Sequence, residues 1–177
     1  MMRLQRPGAS PWRMSVDMAT EMTPKTTDPP VVRATGPWAS WWRYWFRGLR
    51  LIERPLTWWT LQRGFGNLVV VLIVGRRSGR TRTLPLGLLS VGGRLYLGHP
   101  SGDCGWTLDL RAANAAVLER ASDPSTSVRA TALGPGAERE AVIRASFRQH
   151  PFPGNAFYRL AASHVRTTGV FFRLAPG

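Results

Sequence analysis

The run Leu68-Val69-Val70-Val71-Leu72-Ile73-Val74 is apolar at every position and mostly β-branched, too short for an independent helix and long enough for a buried strand. Behind it comes the basic stretch Gly75-Arg76-Arg77-Ser78-Gly79-Arg80-Thr81-Arg82, which reads as a turn, and residues 83–91 read as a second strand. Gly92-Gly93 is a two-residue hairpin signal, and residues 94–98 form a third strand. This is an antiparallel meander, and it excludes a doubly wound parallel sheet. Further on, residues 106–119 carry a helical pattern, 125–132 a strand, 137–148 a helix, 154–163 a short helix and 169–174 a closing strand. No internal repeat appears. The expected fold class is α+β, a closed antiparallel barrel with peripheral helices.

A chain of 177 residues with ordinary apolar content buries one core, so one domain and a tail are expected. The formal net charge is +14, from 24 basic residues of which only Lys25 is lysine, against 10 acidic ones. Two readings of that charge stay open: an anionic partner, or a biased base composition that raises Arg, Ala, Gly and Pro together. Cys104 is the single cysteine, and His99, His150 and His164 are scattered, so neither a disulfide framework nor a metal-ligand cluster can be assembled and no metal site is expected. Residues 1–35 lack apolar periodicity and the apolar core of a secretory signal, and read as a disordered tail. Met2, Met14, Met18 and Met22 leave open a natural start further in. No stretch reaches the ~18 uninterrupted apolar residues of a spanning helix. A cytoplasmic protein, soluble or lying on a surface, is expected.

Residues 36–64 form a separate Trp/Arg-rich segment ahead of a barrel domain at 65–177. Trp38, Trp41, Trp42, Trp45, Phe46, Leu49 and Ile52 recur at helical spacing, with Arg43, Arg47, Arg50 and Arg54 on the opposite face. Gly36-Pro37 supplies a start, and Pro55 is expected to end or kink the helix. Such a helix suits the headgroup boundary of an anionic bilayer at the inner face of the cell membrane. It equally suits packing on the barrel or in a homodimer. Trp58 and Trp59 extend the aromatic surface past the proline.

In the basic turn, Gly75 and Gly79 permit tight backbone geometry, Ser78 offers a hydroxyl, and Arg76, Arg77, Arg80 and Arg82 offer guanidinium forks. Arginine binds phosphate bidentately, and a Gly-containing turn can aim backbone N–H groups at an anion. The order is neither that of a Walker loop nor that of a dinucleotide-binding fingerprint. A solvated hairpin is the alternative.

Strand, Gly-Arg-Arg-Ser-Gly-Arg-Thr-Arg, strand with Pro85-Leu86, hairpin, then Trp106 with Asp109-Leu110-Arg111-Ala112, resembles the deazaflavin-dependent nitroreductase family over roughly residues 69–176. The resemblance implies a split β-barrel of the flavin/deazaflavin kind, and hydride transfer from the reduced deazaflavin coenzyme F420 to a quinone, nitro compound or other conjugated acceptor. It implies a phosphate grip by Gly75, Arg76, Arg77, Ser78, Gly79 and Arg82, with Pro85, Leu86, His99, Ser101 and Trp106 along the cofactor site. The coenzyme's polyglutamate tail would give the basic surface a specific cause. Departures are a short loop, Ser101-Gly102-Asp103-Cys104-Gly105, and Asp109-Leu110 where the family usually reads Asn-Leu.

Hydride chemistry resides in the cofactor, leaving orientation and a proton donor to the protein. Tyr158 is the catalytic candidate, placed about where the family has an active-site tyrosine, and its other reading is a ring packed on the barrel. His164 is a second possible donor. Trp106 walls the cofactor ring or fills the core, and Cys104 has no histidine partner in sequence. Two rivals share the site: a flavin mononucleotide (FMN) enzyme using the same phosphate grip, and a non-catalytic module carrying cofactor or binding anionic lipid. Nucleic acid is not expected as a partner, since no reader motif is present.

Overall fold

The computed structural model describes residues 28–49, 51–63, 66–120, 124–150 and 153–177. Helices α1 (Pro37–Leu49) and α2 (Glu53–Arg63) precede the strands β1 (Leu68–Val74), β2 (Thr81–Val91) and β3 (Arg94–His99). Then follow α3 (Gly105–Ala113), β4 (Ala115–Glu119), β5 (Thr126–Ala132), α4 (Ala137–Gln149), α5 (Gly154–Leu160), α6 (Ala162–Thr168) and β6 (Val170–Pro176). The strands close a barrel in the order β1-β2-β3-β6-β5-β4, every pair antiparallel. This is the expected fold class. The Gly92-Gly93 turn joins Val91 to Arg94 with φ of 56° and 75°, the positive pair that a two-residue hairpin loop demands.

Alternation along the strands sorts two apolar layers. Val69, Val71, Ile73, Leu88, Leu97, Ala116, Leu118, Val128, Ala130, Phe172 and Leu174 fill the barrel, and Leu110 of α3 joins them. Residues between them point outward: Leu89, Tyr96 and Phe171 lie under Val142 and Ile143 of α4, Tyr158 of α5, Val165 of α6 and Trp42 of α1. The aromatic stripe of α1 therefore belongs to the second layer, and the packing reading of that helix is the one the contacts fit. Trp42 sets its ring edge against Tyr158 at 5.4 Å, and Trp41 meets Phe157 at 4.8 Å.

Four readings differ from expectation by more than two residues. The helical pattern at 106–119 divides into α3 and β4, because Asn114 adopts φ 52° and donates its N–H to the Leu110 carbonyl, ending the helix. Ala116 and Leu118 then alternate inward as strand residues. The amphipathic helix stops at Leu49 instead of running to Arg54, and Pro55 sits in the first turn of α2, where its missing N–H costs nothing. Residues 154–163 hold the break between α5 and α6 at Ala161. Residues 28–35, expected as the end of a disordered tail, include an extended strap: the Val32 N–H donates to Asp103 Oδ2 at 2.8 Å, and the Asp103 N–H to the Val32 carbonyl at 2.7 Å. Residues 1–27 lie outside the described residues.

Candidate functional site

The basic turn is closed by its own backbone, with the Gly75 N–H donating to the Arg80 carbonyl at 2.9 Å and the Gly79 N–H to the Gly75 carbonyl at 2.8 Å. Ser78 Oγ accepts from the Arg80 N–H at 3.3 Å, so this hydroxyl braces the turn. β1 and β2 place the turn beside α3, whose Asp109 carboxylate gathers two of its arginines. The Arg76 N–H and Nη1 donate to Oδ1 at 3.2 and 2.5 Å, and Arg82 Nη1 donates to Oδ2 at 3.0 Å. Arg76 Nη1 also reaches the Gly105 carbonyl at 3.1 Å, tying the turn to the first residue of α3. The Asp109 side chain is only 5% exposed. Burial pushes its carboxyl up, but the donors from Arg76 and Arg82 outweigh that and hold it below the ordinary carboxylate range.

Asp109 thus fixes both guanidinium groups from the protein side. Among the described residues the Nε and Nη2 donors of Arg76 and Arg82 take no hydrogen bond, and Arg77 and Arg80 are exposed. Four cations and one buried carboxylate leave the patch positive, with free guanidinium donors and the start of α3 on one side of the barrel.

The 99–105 loop leads into α3. His99 Nδ1 lies 3.0 Å from the Gly102 carbonyl, an acceptor only, so Nδ1 carries the hydrogen of the neutral ring. Burial lowers the pKa of this histidine to about 4. Its ring sits 5.0 Å from Phe46 and 6.2 Å from Trp106. Ser101 Oγ lies 2.9 Å from His164 Nε2, and Thr168 Oγ1 lies 3.1 Å from the same nitrogen. Cys104 is half-buried; burial raises its thiol pKa, which does not favour a reactive thiolate. Asp103 is paired with Arg111, Nε to Oδ1 at 3.0 Å, and Arg111 Nη1 reaches the Pro29 carbonyl at 3.0 Å. At Gly102, φ is +65° and a Cβ would stand 2.7 Å from the Ala34 nitrogen, so only glycine lets the strap lie this close.

Gly75, Arg76, Ser78, Gly79 and Arg82 are therefore assembled with the start of α3, and His99 and Trp106 adjoin on the same loop and helix. Arg77 stands free in solvent. Leu86 turns into the barrel against the core and Pro85, its neighbour on β2, turns outward opposite Val70, so neither joins the turn. Tyr158 is 7% exposed, packed by Trp42 and by the His150 ring at 4.5 Å, and burial raises its pKa well above the ordinary phenol value. Those surroundings fit the packing role and not the proton donor. Sequence reasoning missed Asp109 as the partner of the arginines and Ser101 as the partner of His164; the first was visible only as a departure from a familiar pattern.

No protein-family model matches the chain, and no curated protein sequence does. Among solved structures it is similar to an F420-H2 dependent reductase, FDR-A, at 18% identity over 66% of this chain and 97% of that one, with a TM-score of 0.48. It is similar to a domain-swapped dimer at 18% identity, over 78% of this chain and 100% of that one, TM-score 0.44. A conserved hypothetical protein from Mycobacterium tuberculosis matches at 11% identity over 62% and 72% of the two chains, TM-score 0.45. These are low-identity likenesses, and the fold class rests on the six-strand closure itself.

Proposed function

We propose that the chain is a deazaflavin-dependent oxidoreductase that holds coenzyme F420 by its phosphate at the basic turn and reduces a quinone, nitro compound or other conjugated acceptor. One observation carries this reading: Asp109 anchors Arg76 and Arg82 side by side at the start of α3 while their remaining donors stay free. Anchored forks lose little freedom when a phosphate arrives, which is the advantage of arginine over lysine at such a site. When bound, the coenzyme supplies the hydride from its own reactive carbon. Arg76, Arg77 and Arg82 bind and orient, and Trp106 and His99 exclude water beside them. The proton taken up by the product comes through Ser101 Oγ, resupplied from His164 Nε2, in place of Tyr158. The same reading keeps the protein cytoplasmic and peripheral at an anionic membrane, where quinone-like acceptors reside, and allows a homodimer.

FMN carries the same phosphate chemistry, so the test titrates the protein with reduced and oxidised F420 and with FMN. Tighter binding of F420 is expected. Arg77→Ala and Arg82→Ala should each weaken it by about 1.5–3 kcal/mol, the range for hydrogen bonds to charged groups. Unchanged dissociation constants in both variants would remove the phosphate site, and tighter FMN binding would reassign the cofactor.

A further inference from the structure

The tryptophans that made α1 look like a lipid-seeking helix are already spent on the barrel, yet the same region leaves another apolar face bare. Among the described residues, eight large apolar side chains are exposed, and five of them fall between residues 44 and 59: Tyr44, Leu51, Ile52, Trp58 and Trp59. Leu51, in the turn between α1 and α2, is 86% exposed, and Trp58 and Trp59 on α2 are 58% and 47% exposed. Single exposed apolar residues need no explanation, but five within sixteen positions of one helical corner, two of them indoles, do.

Charge says what kind of surface covers it. Residues 36–63 contain five arginines, Arg43, Arg47, Arg50, Arg54 and Arg63, and one acid, Glu53. Arg43, Arg47, Arg54 and Arg63 are exposed, and the Arg63 guanidinium lies 5.2 Å over the Trp59 ring. A second copy of this chain would bring the same four exposed arginines against these, a repulsive pairing. An anionic bilayer accepts both components: indole, leucine and isoleucine at the headgroup boundary, and guanidinium groups on phosphates. No described helix is long and apolar enough to cross a membrane, so the contact is peripheral.

We propose that the α1–α2 corner, Leu51 and Ile52 with Trp58 and Trp59 and their flanking arginines, is the face that lies on an anionic membrane, while the α1 stripe stays in the core. This deepens the peripheral-membrane part of the reading above and does not depend on the cofactor. Because the corner is exposed, its substitution leaves the fold standing.

The test is sedimentation of the full chain with phosphatidylcholine vesicles, with and without phosphatidylglycerol, at low and raised salt. The wild type should pellet with the anionic vesicles at low salt, release as salt rises, and bind the neutral vesicles less. Trp58→Ser/Trp59→Ser should bind anionic vesicles about tenfold more weakly or worse, as loss of two interfacial indoles implies. Its melting temperature and F420 affinity should stay unchanged, which separates this proposal from the cofactor assignment. Should that double variant prove unstable, Leu51→Asp makes the same test at the most exposed position. A wild type that stays in the supernatant with anionic vesicles at low salt overturns the proposal. So do variants that bind as well as the wild type, or a lipid-free dimer that the substitutions dissolve.

Discussion

Asp109 is the residue on which the turn's geometry depends, and its contribution has a pH signature. Its folded pKa lies below the ordinary carboxylate value, so the stability it adds is present above that value and is lost as the pH falls through the folded pKa, below about pH 4. Asp109→Asn should cost about 1–3 kcal/mol at pH 7, the range for breaking a charge-assisted bond at a buried group. The variant should then lose less than the wild type between pH 5 and pH 3 on acidification. His99 and His150, each lowered to about 4 by burial, act in the neighbouring window: stability falls as the pH drops from 6.5 towards 4, because the unfolded chain takes up those protons first. Urea titrations of wild type and variant at matched pH isolate the aspartate, and equal losses in both would show that the carboxylate carries no net stabilisation. That the arginines of this turn cluster was legible from their spacing in the sequence alone. Their internal anchor was not, because an Asp some thirty positions away becomes a neighbour only when β1 and α3 are brought together.

Elements show where local pattern suffices and where it fails. The β1–β3 meander was readable because apolar runs, period-2 alternation and Gly92-Gly93 all agree. β4 was hidden inside a helical pattern, since Ala115-Ala116-Val117-Leu118 suits either state and only the left-handed Asn114 with pairing to β1 and β5 decides for strand. The strap was invisible for a related reason: its bonds converge on Asp103, whose carboxylate binds the Val32 N–H and the Arg111 guanidinium together and whose N–H donates to the Val32 carbonyl, and on Arg111, which reaches the Pro29 carbonyl. Asp103→Ala should leave that N–H unpaired and Arg111 without its counter-ion. Faster amide exchange at Val32 and a melting point lower by several degrees are expected, since breaking a buried pair at one partner is costly. An unchanged Val32 exchange rate would mean that the strap is held without the Asp103 carboxylate, by its backbone bond and apolar contacts.

The division of the molecule into a Trp/Arg segment and an independent barrel domain meets a physical obstacle in Trp42. That side chain is 2% exposed and stacks on Phe46 at 5.5 Å, with its edge on Tyr158; Phe46 in turn lies over His99 beside the candidate site. Helix α1 therefore belongs to the outer apolar layer, packed on Phe157 and Tyr158 of α5 and on His99 at the end of β3, and a chain without it would uncover those rings. Trp42→Ala should cost about 3–5 kcal/mol, the usual penalty for truncating a buried aromatic. Against a total stability of about 5–15 kcal/mol, that is a large fraction. A chain beginning at Asn67 removes the whole helix, so it should aggregate or bind a hydrophobic dye, although every strand and the basic turn are retained. The comparison is a urea melt of the wild type and Trp42→Ala with dye binding and light scattering of the shortened chain. A shortened chain that stays monomeric and melts cooperatively near the wild-type midpoint would restore the barrel as a separate domain and leave α1 as an appendage.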